Sequence, residues 1–293
     1  RIDYMGTIPI TGHTGLTCLL GQPVAHSVSP EMHNESFRYH GLDYVYLAFD
    51  VAPEQFEAAV DGLITFNARG WNCTMPHKRR MFERVDKLSK EAELIGAVNT
   101  VVQENGVLTG FNTDGKGYMT AVTDAGFNII GKKMTLLGTG GAAASIITQA
   151  ALDGVPKIDV IARKGNSWNA VEQVIHRVNS RTDCKVCMYE LKDEVQMRKS
   201  IDESAILINA SSVGMSPHED GCLVPDVSYF HPELIVSDVI YQPRKTRLLQ
   251  MAESVGCPTF NGMYMLLYQG AYAFELWTGK PMPVELVKNK YFK

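Results

Sequence analysis

The segment Lys133-Met134-Thr135-Leu136-Leu137-Gly138-Thr139-Gly140-Gly141-Ala142-Ala143-Ala144 decides the fold of this chain. Its first residues are mostly apolar and predict a short buried strand over 133–137. The small residues that follow the glycines predict a helix over 142–151. A strand that leads through a glycine-rich loop directly into a helix is typical of dinucleotide-binding α/β domains.

The glycines of this loop are suited to a phosphate ligand. Gly138 permits the tight turn, and Gly140 lets backbone N–H groups approach a pyrophosphate, which the positive end of the helix attracts. We therefore predict that Gly138, Gly140, Gly141 and Ala142 bind a dinucleotide cofactor. The alternative is a tight turn between strand and helix that binds no ligand.

Strands and helices alternate on both sides of this loop, which indicates an α/β fold with a largely parallel sheet. Strands are predicted at 17–20, 44–49, 70–75, 157–161, 185–191, 205–209 and 234–239, with a hairpin of 97–102 and 107–111. Helices are predicted at 29–40, 53–65, 76–86, 117–125, 168–178, 246–255 and 264–277. The elements after residue 114 form a Rossmann-type, doubly wound series.

Composition and charge exclude several classes of protein. The 293 residues are 45% hydrophobic and 20% charged with a net charge of −4, so no basic stripe indicates nucleic-acid binding. No apolar run approaches the roughly 18 residues that cross a bilayer. The start, Arg1–Tyr4, lacks the apolar region of a signal peptide. Six cysteines in a chain of this length do not suggest a disulfide framework. We therefore expect a cytoplasmic protein that binds neither nucleic acid nor membrane.

Cys184 and Cys187 have the Cys-x-x-Cys spacing of one cysteine pair of a zinc site or of a redox-active pair. No second pair accompanies them, and the strand predicted around them would point the two thiols to opposite faces. We predict no metal site.

The end of the strand after the glycine loop distinguishes NADP from NAD. A carboxylate there would accept the ribose hydroxyls of NAD, whereas cations suit a 2′-phosphate. Arg163 and Lys164 stand at this place and no acid follows closely, which favours NADP; the alternative is a solvated strand end. Ser212 and Gly214 are predicted beside the nicotinamide, the alternative being an ordinary polar exit from a strand.

Two polar segments in the first half of the chain carry candidate chemistry. Lys78 and Asp114 could pass a proton to or from a hydroxyl, or could form a structural ion pair. Ser27 and Ser29 place two hydroxyls at a predicted helix N-terminus, which suits a small carboxylate. The alternative for this second segment is helix capping by Ser29 alone. His77 is adjacent to Lys78 and is predicted to lie at the surface or behind the site, not to act as the base.

Several motifs occur in an order and spacing that resemble the shikimate dehydrogenases. They are His26–Pro30, Asn72–Lys78, Gly96–Val101, Asn112–Gly115, Gly138–Gly141, Asp238–Pro243, Thr246–Leu249 and Gly262–Ala271. The segments Leu276–Lys280 and Thr182–Cys184 look most similar to the quinate/shikimate branch of that family.

The resemblance implies a role for each site residue. Ser27, Ser29 and Tyr241 would bind the substrate carboxylate. Ring hydroxyls would be bound by Thr74, Asn99, Asp114 and Gln269. Lys78 and Asp114 would flank the hydroxyl that is oxidised, and Gly262 and Met263 would lie near the nicotinamide.

The resemblance also implies the domains and the reaction. Residues 1–113 and 261–293 would form an N-terminal α/β substrate-binding catalytic domain, and 114–260 a Rossmann NAD(P)-binding domain. The reaction would be the reversible oxidation of shikimate to 3-dehydroshikimate, and of quinate to 3-dehydroquinate as a second substrate. Gly165 stands where the bispecific branch is expected to carry an acid, which favours NADP over NAD. A non-catalytic dinucleotide sensor on the same fold is the alternative, and the oligomeric state, a homodimer included, stays open.

Overall fold

The computed structural model describes residues 9–293, so the signal-peptide prediction on Arg1–Tyr4 lies outside the described residues. The chain forms two compact units, one that runs to Thr113 and resumes at Leu267–Lys293, and one that spans Asp114–Leu266. The first unit is therefore discontinuous in sequence. The assignment of 1–113 with 261–293 and of 114–260 to a substrate and a cofactor domain stays a prediction.

The first unit is built on a six-stranded mixed sheet of order β2-β1-β3-β5-β6-β4. Its strands are β1 Gly15–Gly21, β2 Tyr44–Asp50, β3 Gly70–Cys73, β4 Lys87–Leu88, β5 Thr100–Glu104 and β6 Val107–Phe111. β1 pairs in parallel with both β2 and β3, whereas β5 is antiparallel to β3 and to β6. The carboxyl ends of β1, β3 and β6 and the start of β5 therefore meet at one edge of the sheet.

The second unit is built on a six-stranded parallel sheet of order β12-β11-β10-β7-β8-β9. Its strands are β7 Met134–Leu137, β8 Lys157–Ala162, β9 Lys185–Glu190, β10 Ile206–Asn209, β11 Ile235–Asp238 and β12 Thr259–Phe260. The strand order reverses between β7 and β10, which is the switch point where doubly wound folds bind ligands. The predicted fold class is confirmed.

The helices are α1 Ser29–His40, α2 Phe56–Thr65, α3 Lys78–Arg84, α4 Lys90–Ile95, α5 Asp114–Asp124, α6 Gly141–Asp153, α7 Trp168–Arg181, α8 Glu194–Asp202, α9 Arg247–Ser254, α10 Met263–Thr278 and α11 Val284–Tyr291. None of those in residues 9–293 is both long and apolar enough to cross a membrane.

The C-terminal segment completes the core of the first unit. Trp277 on α10 is buried, and its Nε1 donates to the Val101 carbonyl at 2.9 Å. A Cβ atom on Gly70 would lie only 2.4 Å from that nitrogen. β3 therefore begins at a glycine because the indole lies directly against its backbone.

The structure corrects several predicted elements. The helix predicted over 76–86 spans only Lys78–Arg84, and the strand predicted over 97–102 begins at Thr100. The N–H of Val98 bonds instead to the Lys78 carbonyl at 2.9 Å, which ties the two segments together. The sequence patterns missed the short or highly charged elements β4, α4, α8, β12 and α11.

Candidate active site

The two serines of the predicted carboxylate pocket differ in role. Ser29 is the first residue of α1 and Val28 occupies the N-cap position, so the alternative of capping by Ser29 alone does not hold. Ser27 Oγ instead accepts the N–H of Ser29 at 3.2 Å. Ser29 is buried and Ser27 is half-buried, so both hydroxyls lie at the helix entrance with different surroundings.

Asn99 is held rigidly at the start of β5. Its Oδ1 accepts the backbone N–H of Thr113 at 2.9 Å, and its Nδ2 donates to the Thr113 hydroxyl at 2.9 Å. A backbone N–H can only donate, so this contact fixes which end of the amide carries oxygen. Asn99 is 3% exposed, and the amide is therefore aimed by buried partners before any ligand arrives.

Thr74 and Lys78 lie just beyond the carboxyl end of β3. The N–H of Thr74 bonds to the Leu20 carbonyl at 2.9 Å, which joins the loop to the end of β1. Lys78 is half-buried as the first residue of α3. Burial raises the pKa of the neighbouring Cys73 thiol to about 12. The positive charge of Lys78 lowers that pKa by a smaller amount.

His77, predicted at the surface or behind the site, is fully buried. Its ring stacks on Phe56 with the centroids 4.9 Å apart, and its Nε2 lies 2.7 Å from the Val51 carbonyl. A carbonyl can only accept, so Nε2 carries the hydrogen. His77 therefore anchors the turn before Lys78, and the surface placement is wrong.

Gln269 lies on the part of α10 that belongs to the first unit. A Cβ atom on its neighbour Gly270 would come within 2.1 Å of the Met32 Cε atom on α1. This close approach places Gln269 beside the helix that begins at Ser29. The first unit thus supplies Ser27, Ser29, Thr74, Lys78, Asn99 and Gln269.

Asp114 opens the second unit as the first residue of α5. This helix was predicted to start at Gly117 and begins three residues earlier. A Cβ atom on Gly115 would lie 2.2 Å from the Ser145 carbonyl on α6, so the two helices touch through the glycine. The carboxylate therefore projects from a rigid helix start.

The glycine loop has the backbone that its sequence predicts. Gly138 has a φ of +118°, and a Cβ atom there would lie 2.9 Å from the Ala210 carbonyl. Gly140 precedes α6 in an extended conformation, and α6 begins at Gly141. The Thr139 hydroxyl hydrogen-bonds that of Ser167 at 2.6 Å, which ties the loop to the start of α7.

An acid that the sequence patterns missed lies beside the predicted cofactor cations. Arg163 and Lys164 are exposed after β8, but the Lys164 Nζ atom is 2.6 Å from Oε1 of Glu190. The other oxygen of Glu190 is 2.7 Å from Lys192 Nζ. Lys164, and then Lys192, lower the pKa of the Glu190 carboxyl to about 2. Register could have found this residue, since Ala162 on β8 pairs with Glu190 on β9.

The carboxyl ends of β10 and β11 are joined by a buried acid. Asp238 accepts hydrogen bonds from Asn209 Nδ2 at 3.1 Å, the Ile240 N–H at 3.0 Å and the Thr246 hydroxyl at 2.7 Å. Burial nevertheless raises the pKa of the Asp238 carboxyl to about 6. This group fixes the ends of β10 and β11, after which Ser212, Gly214 and Tyr241 follow. The other two predicted residues, Gly262 and Met263, follow β12.

Two of these residues must be glycine for reasons of space or conformation. Gly214 has a φ of +97°, which is the left-handed region. A Cβ atom on Gly262 would lie 1.8 Å from the Val239 carbonyl, so no larger residue fits there. Met263 follows directly as the first residue of α10.

Metal ligands are not grouped in the part of the chain that the structure describes. Across residues 9–293, no cluster of three or more His, Cys, Asp and Glu side chains could hold a metal ion. All six cysteines are free thiols, and Cys184 and Cys187 lie before and within β9.

Family models match both ends of the chain. The shikimate dehydrogenase substrate-binding domain matches residues 19–101, and the shikimate 5′-dehydrogenase C-terminal domain matches residues 262–290.

Full-length relatives extend this match. A shikimate dehydrogenase (NADP(+)) of Listeria monocytogenes serotype 4b is 53% identical over 97% of both chains, and that of Alkaliphilus metalliredigens is 44% identical over 96% of this chain and 97% of its own. Among solved structures, a shikimate 5-dehydrogenase from L. monocytogenes in complex with shikimate and NAD has a TM-score of 0.94 at 53% identity, covering 97% of this chain and 98% of its own. Quinate dehydrogenase from Corynebacterium glutamicum in complex with NAD has a TM-score of 0.85 at 27% identity, covering 95% of this chain and 99% of its own. This chain therefore belongs to the shikimate dehydrogenase family of oxidoreductases.

Proposed function

We propose that this protein catalyses the reversible NADP-dependent oxidation of shikimate to 3-dehydroshikimate. The observation that carries the proposal is that the first unit supplies Ser27, Ser29, Thr74, Lys78, Asn99 and Gln269, of which Thr74, Lys78 and Asn99 lie next to strand ends at one edge of its sheet. That set offers hydroxyl and amide groups for a polyhydroxylated acid together with one cation. The 53% identity to curated NADP(+)-dependent shikimate dehydrogenases supports the same substrate.

The carboxylate of shikimate would be bound by the hydroxyls of Ser27 and Ser29, with the phenol of Tyr241 as a further donor. The positive end of the α1 helix dipole adds a favourable field for an anion. Thr74, Asn99 and Gln269 would bind the ring hydroxyls. Because buried partners already aim Asn99, binding would cost little side-chain entropy at that position.

We propose Lys78 as the group that takes the proton of the reacting hydroxyl and returns it in the reverse direction. The bound cofactor supplies the hydride acceptor. Loss of hydride without loss of the proton would leave a high-energy cation, so a proton acceptor must stand beside the oxygen. In the oxidative direction Lys78 would start as the neutral amine and end as the ammonium, and Asp114 would orient the hydroxyl and stabilise that ammonium. Domain boundaries at 113/114 and 260/261 would place these two residues in the substrate and cofactor domains respectively.

The dinucleotide would lie on Gly138, Gly140, Gly141 and Ala142, with its nicotinamide near Ser212, Gly214, Gly262 and Met263. Backbone N–H groups at the start of α6 suit a pyrophosphate. Arg163 and Lys164 would face the 2′-phosphate of NADP, and the ion pair of Lys164 with Glu190 would weaken its contribution. NADP is therefore the proposed cofactor, with NAD as a weaker substitute.

Quinate is a second candidate substrate, supported by the likeness to quinate dehydrogenase and by the branch-like segments Leu276–Lys280 and Thr182–Cys184. A non-catalytic sensor has no support, because the relatives named above are dehydrogenases. We also propose a cytoplasmic location and a homodimer. Sedimentation equilibrium at micromolar concentration tests the homodimer, which a single monomer mass would rule out.

Steady-state kinetics of one preparation tests the function. Shikimate and quinate are each measured with NADP⁺ and NAD⁺. We expect the highest kcat/KM with shikimate and NADP⁺. If neither acid is oxidised with either cofactor, the proposed reaction is wrong. A higher kcat/KM for quinate would show that the protein is a quinate dehydrogenase that uses the same reaction chemistry.

A further inference from the structure

We propose that Tyr46 is a positioning residue for shikimate oxidation, because a buried chain of neutral hydrogen bonds through its hydroxyl joins Ser29 to Asn99. Ser29 is a proposed carboxylate ligand and Asn99 a proposed ligand of a ring hydroxyl, so this inference rests on the proposed function. Tyr46 itself is fully buried and touches neither group of the substrate in this assignment.

This series of hydrogen bonds starts where the side chain of Tyr46 reaches across β1. Tyr46 is on β2 and Asn72 is on β3, with β1 between them. The Tyr46 hydroxyl nevertheless lies 2.8 Å from Asn72 Oδ1. The Ser29 hydroxyl also acts on this phenol, as a donor that lowers its pKa and so opposes the effect of burial. Burial raises the pKa of the Tyr46 phenol well above its usual range, so the hydroxyl keeps its proton.

The chemistry of the partners fixes the direction of each bond. Asn72 Nδ2 donates to the Asn99 carbonyl at 3.1 Å and to the Thr100 hydroxyl at 2.9 Å. A carbonyl can only accept, so the amide nitrogen of Asn72 must face it and the amide oxygen must face Tyr46. The phenol therefore donates to Asn72, and its oxygen accepts from Ser29.

The chain ends on the Asn99 side chain. The Thr100 hydroxyl, having accepted from Asn72, donates to Asn99 Oδ1 at 2.9 Å. Ser29, Tyr46, Asn72, Asn99 and Thr100 are all less than 9% exposed. Every link is thus made by a neutral, buried group, and a buried donor or acceptor that loses its partner is costly.

This arrangement couples the two proposed ligand groups through the fold of one unit. If the phenol hydroxyl is removed, Asn72 Oδ1 loses its donor and Ser29 loses its acceptor. Both side chains then have reason to adopt other rotamers, and the Thr100 hydroxyl is released in turn. The expected consequence is weaker binding of shikimate with an unaltered cofactor site.

The test is a double-mutant cycle between Tyr46→Phe and Ser29→Ala. Tyr46→Phe is expected to raise KM for shikimate about three- to tenfold, the loss of about one hydrogen bond, and to leave KM for NADP⁺ unchanged. In the Ser29→Ala background, the added effect of Tyr46→Phe should fall below about twofold. An equal effect in both backgrounds, or none in either, overturns the inference.

Tyr44→Phe is the matched control. Tyr44 lies two residues earlier on β2, on the same face of the strand, and packs its ring against Phe37 with the centroids 5.4 Å apart. Because Tyr44→Phe keeps the ring, both KM values should match those of the parent. An increase equal to that of Tyr46→Phe would indicate a general loosening of β2 and would count against the chain.

A second position protects the test against misfolding of the first variant. Thr100→Val removes the hydroxyl that links Asn72 to Asn99 and keeps the shape of the side chain. This variant should reproduce the selective rise in KM for shikimate. Thr100→Ser restores the hydroxyl and should restore the parent KM. If the parent oxidises shikimate but neither Tyr46→Phe nor Thr100→Val alters its KM, only the positioning role fails; a parent that does not oxidise shikimate removes both the function and the inference.

Discussion

The two units carry six-stranded sheets of similar size, yet they bury polar groups in opposite ways. The first unit joins Ser29, Tyr46, Asn72, Thr100 and Asn99 without any charged group. In the second unit, the ends of β10 and β11 are joined by the carboxyl of Asp238. A network of neutral groups keeps its donor directions at any pH, whereas a network built on a carboxyl makes the strand ends respond to protons.

A buried histidine of the first unit makes the stability depend on pH in the opposite direction to Asp238. His33 is fully buried and stacks on Tyr46 with the centroids 4.5 Å apart. Burial lowers the pKa of His33 to about 3, so the ring stays neutral. Low pH therefore destabilises the first unit through His33, and high pH destabilises the second through Asp238.

The largest expected effect separates catalysis from binding within the first unit. Lys78→Ala removes the proposed proton acceptor and should lower kcat about 10²- to 10⁴-fold, the usual contribution of general acid–base catalysis. KM for shikimate should change little, because the hydroxyl and amide ligands are still present. Stopped assays of purified protein measure both constants, and a kcat close to that of the parent would reject Lys78.

Asp238 should give the second unit a stability that falls as pH rises. Its folded pKa of about 6 exceeds the ordinary 3.8, so the folded state holds the proton longer. The contribution is complete below pH 3.8 and is lost by pH 6 to 7, a change of about 3 kcal/mol in the opening free energy of β11. Hydrogen exchange of β11 amides, corrected for intrinsic rates, measures this slope.

The matched variants are Asp238→Asn, which should flatten that slope, and Asp226→Asn, which should not. Asp226 is exposed, and its hydrogen bonds with Ser228 lower the pKa of its carboxyl. A slope that persists in Asp238→Asn would show that another group of the second unit is responsible.

His33 should give the first unit the opposite dependence. The folded pKa of about 3 lies below the ordinary 6.5, so the stabilising contribution is present above pH 6.5 and is lost as pH falls. Between pH 6.5 and 4.5 the opening free energy of α1 should drop by about 2 to 3 kcal/mol. Exchange of α1 amides is the measurement, with His33→Phe as the variant that removes the slope. His26→Gln, at an exposed histidine, should retain it.

The smallest expected effect concerns the cofactor. Glu190→Gln releases Lys164 from its exposed ion pair, so KM for NADP⁺ should fall roughly two- to threefold with KM for NAD⁺ unchanged. Glu233→Gln, at an acid paired with His231, is the control. Equal changes for both cofactors would mean that Glu190 does not act through the 2′-phosphate.

Short sequence motifs predicted the parts of the fold and site that depend only on residues close together in sequence. The glycine loop, the serines before α1 and the strand ends follow from short motifs whose backbone demands are local. Tyr46 and Glu190 could not be found in this way, because their partners lie on other strands and only register brings them together. The choice between surface and interior stayed open for His77, since a single polar residue beside Lys78 carries no sign of the aromatic ring that covers it.

The discontinuity of the first unit sets an order for synthesis on the ribosome. The hydrogen bond from Trp277 to Val101 spans 176 positions, and the indole also covers Gly70. All of Asp114–Leu266 emerges from the ribosome before that indole does. The parallel sheet of the second unit can thus be complete while the sheet of the first unit still lacks the indole that covers Gly70 on β3.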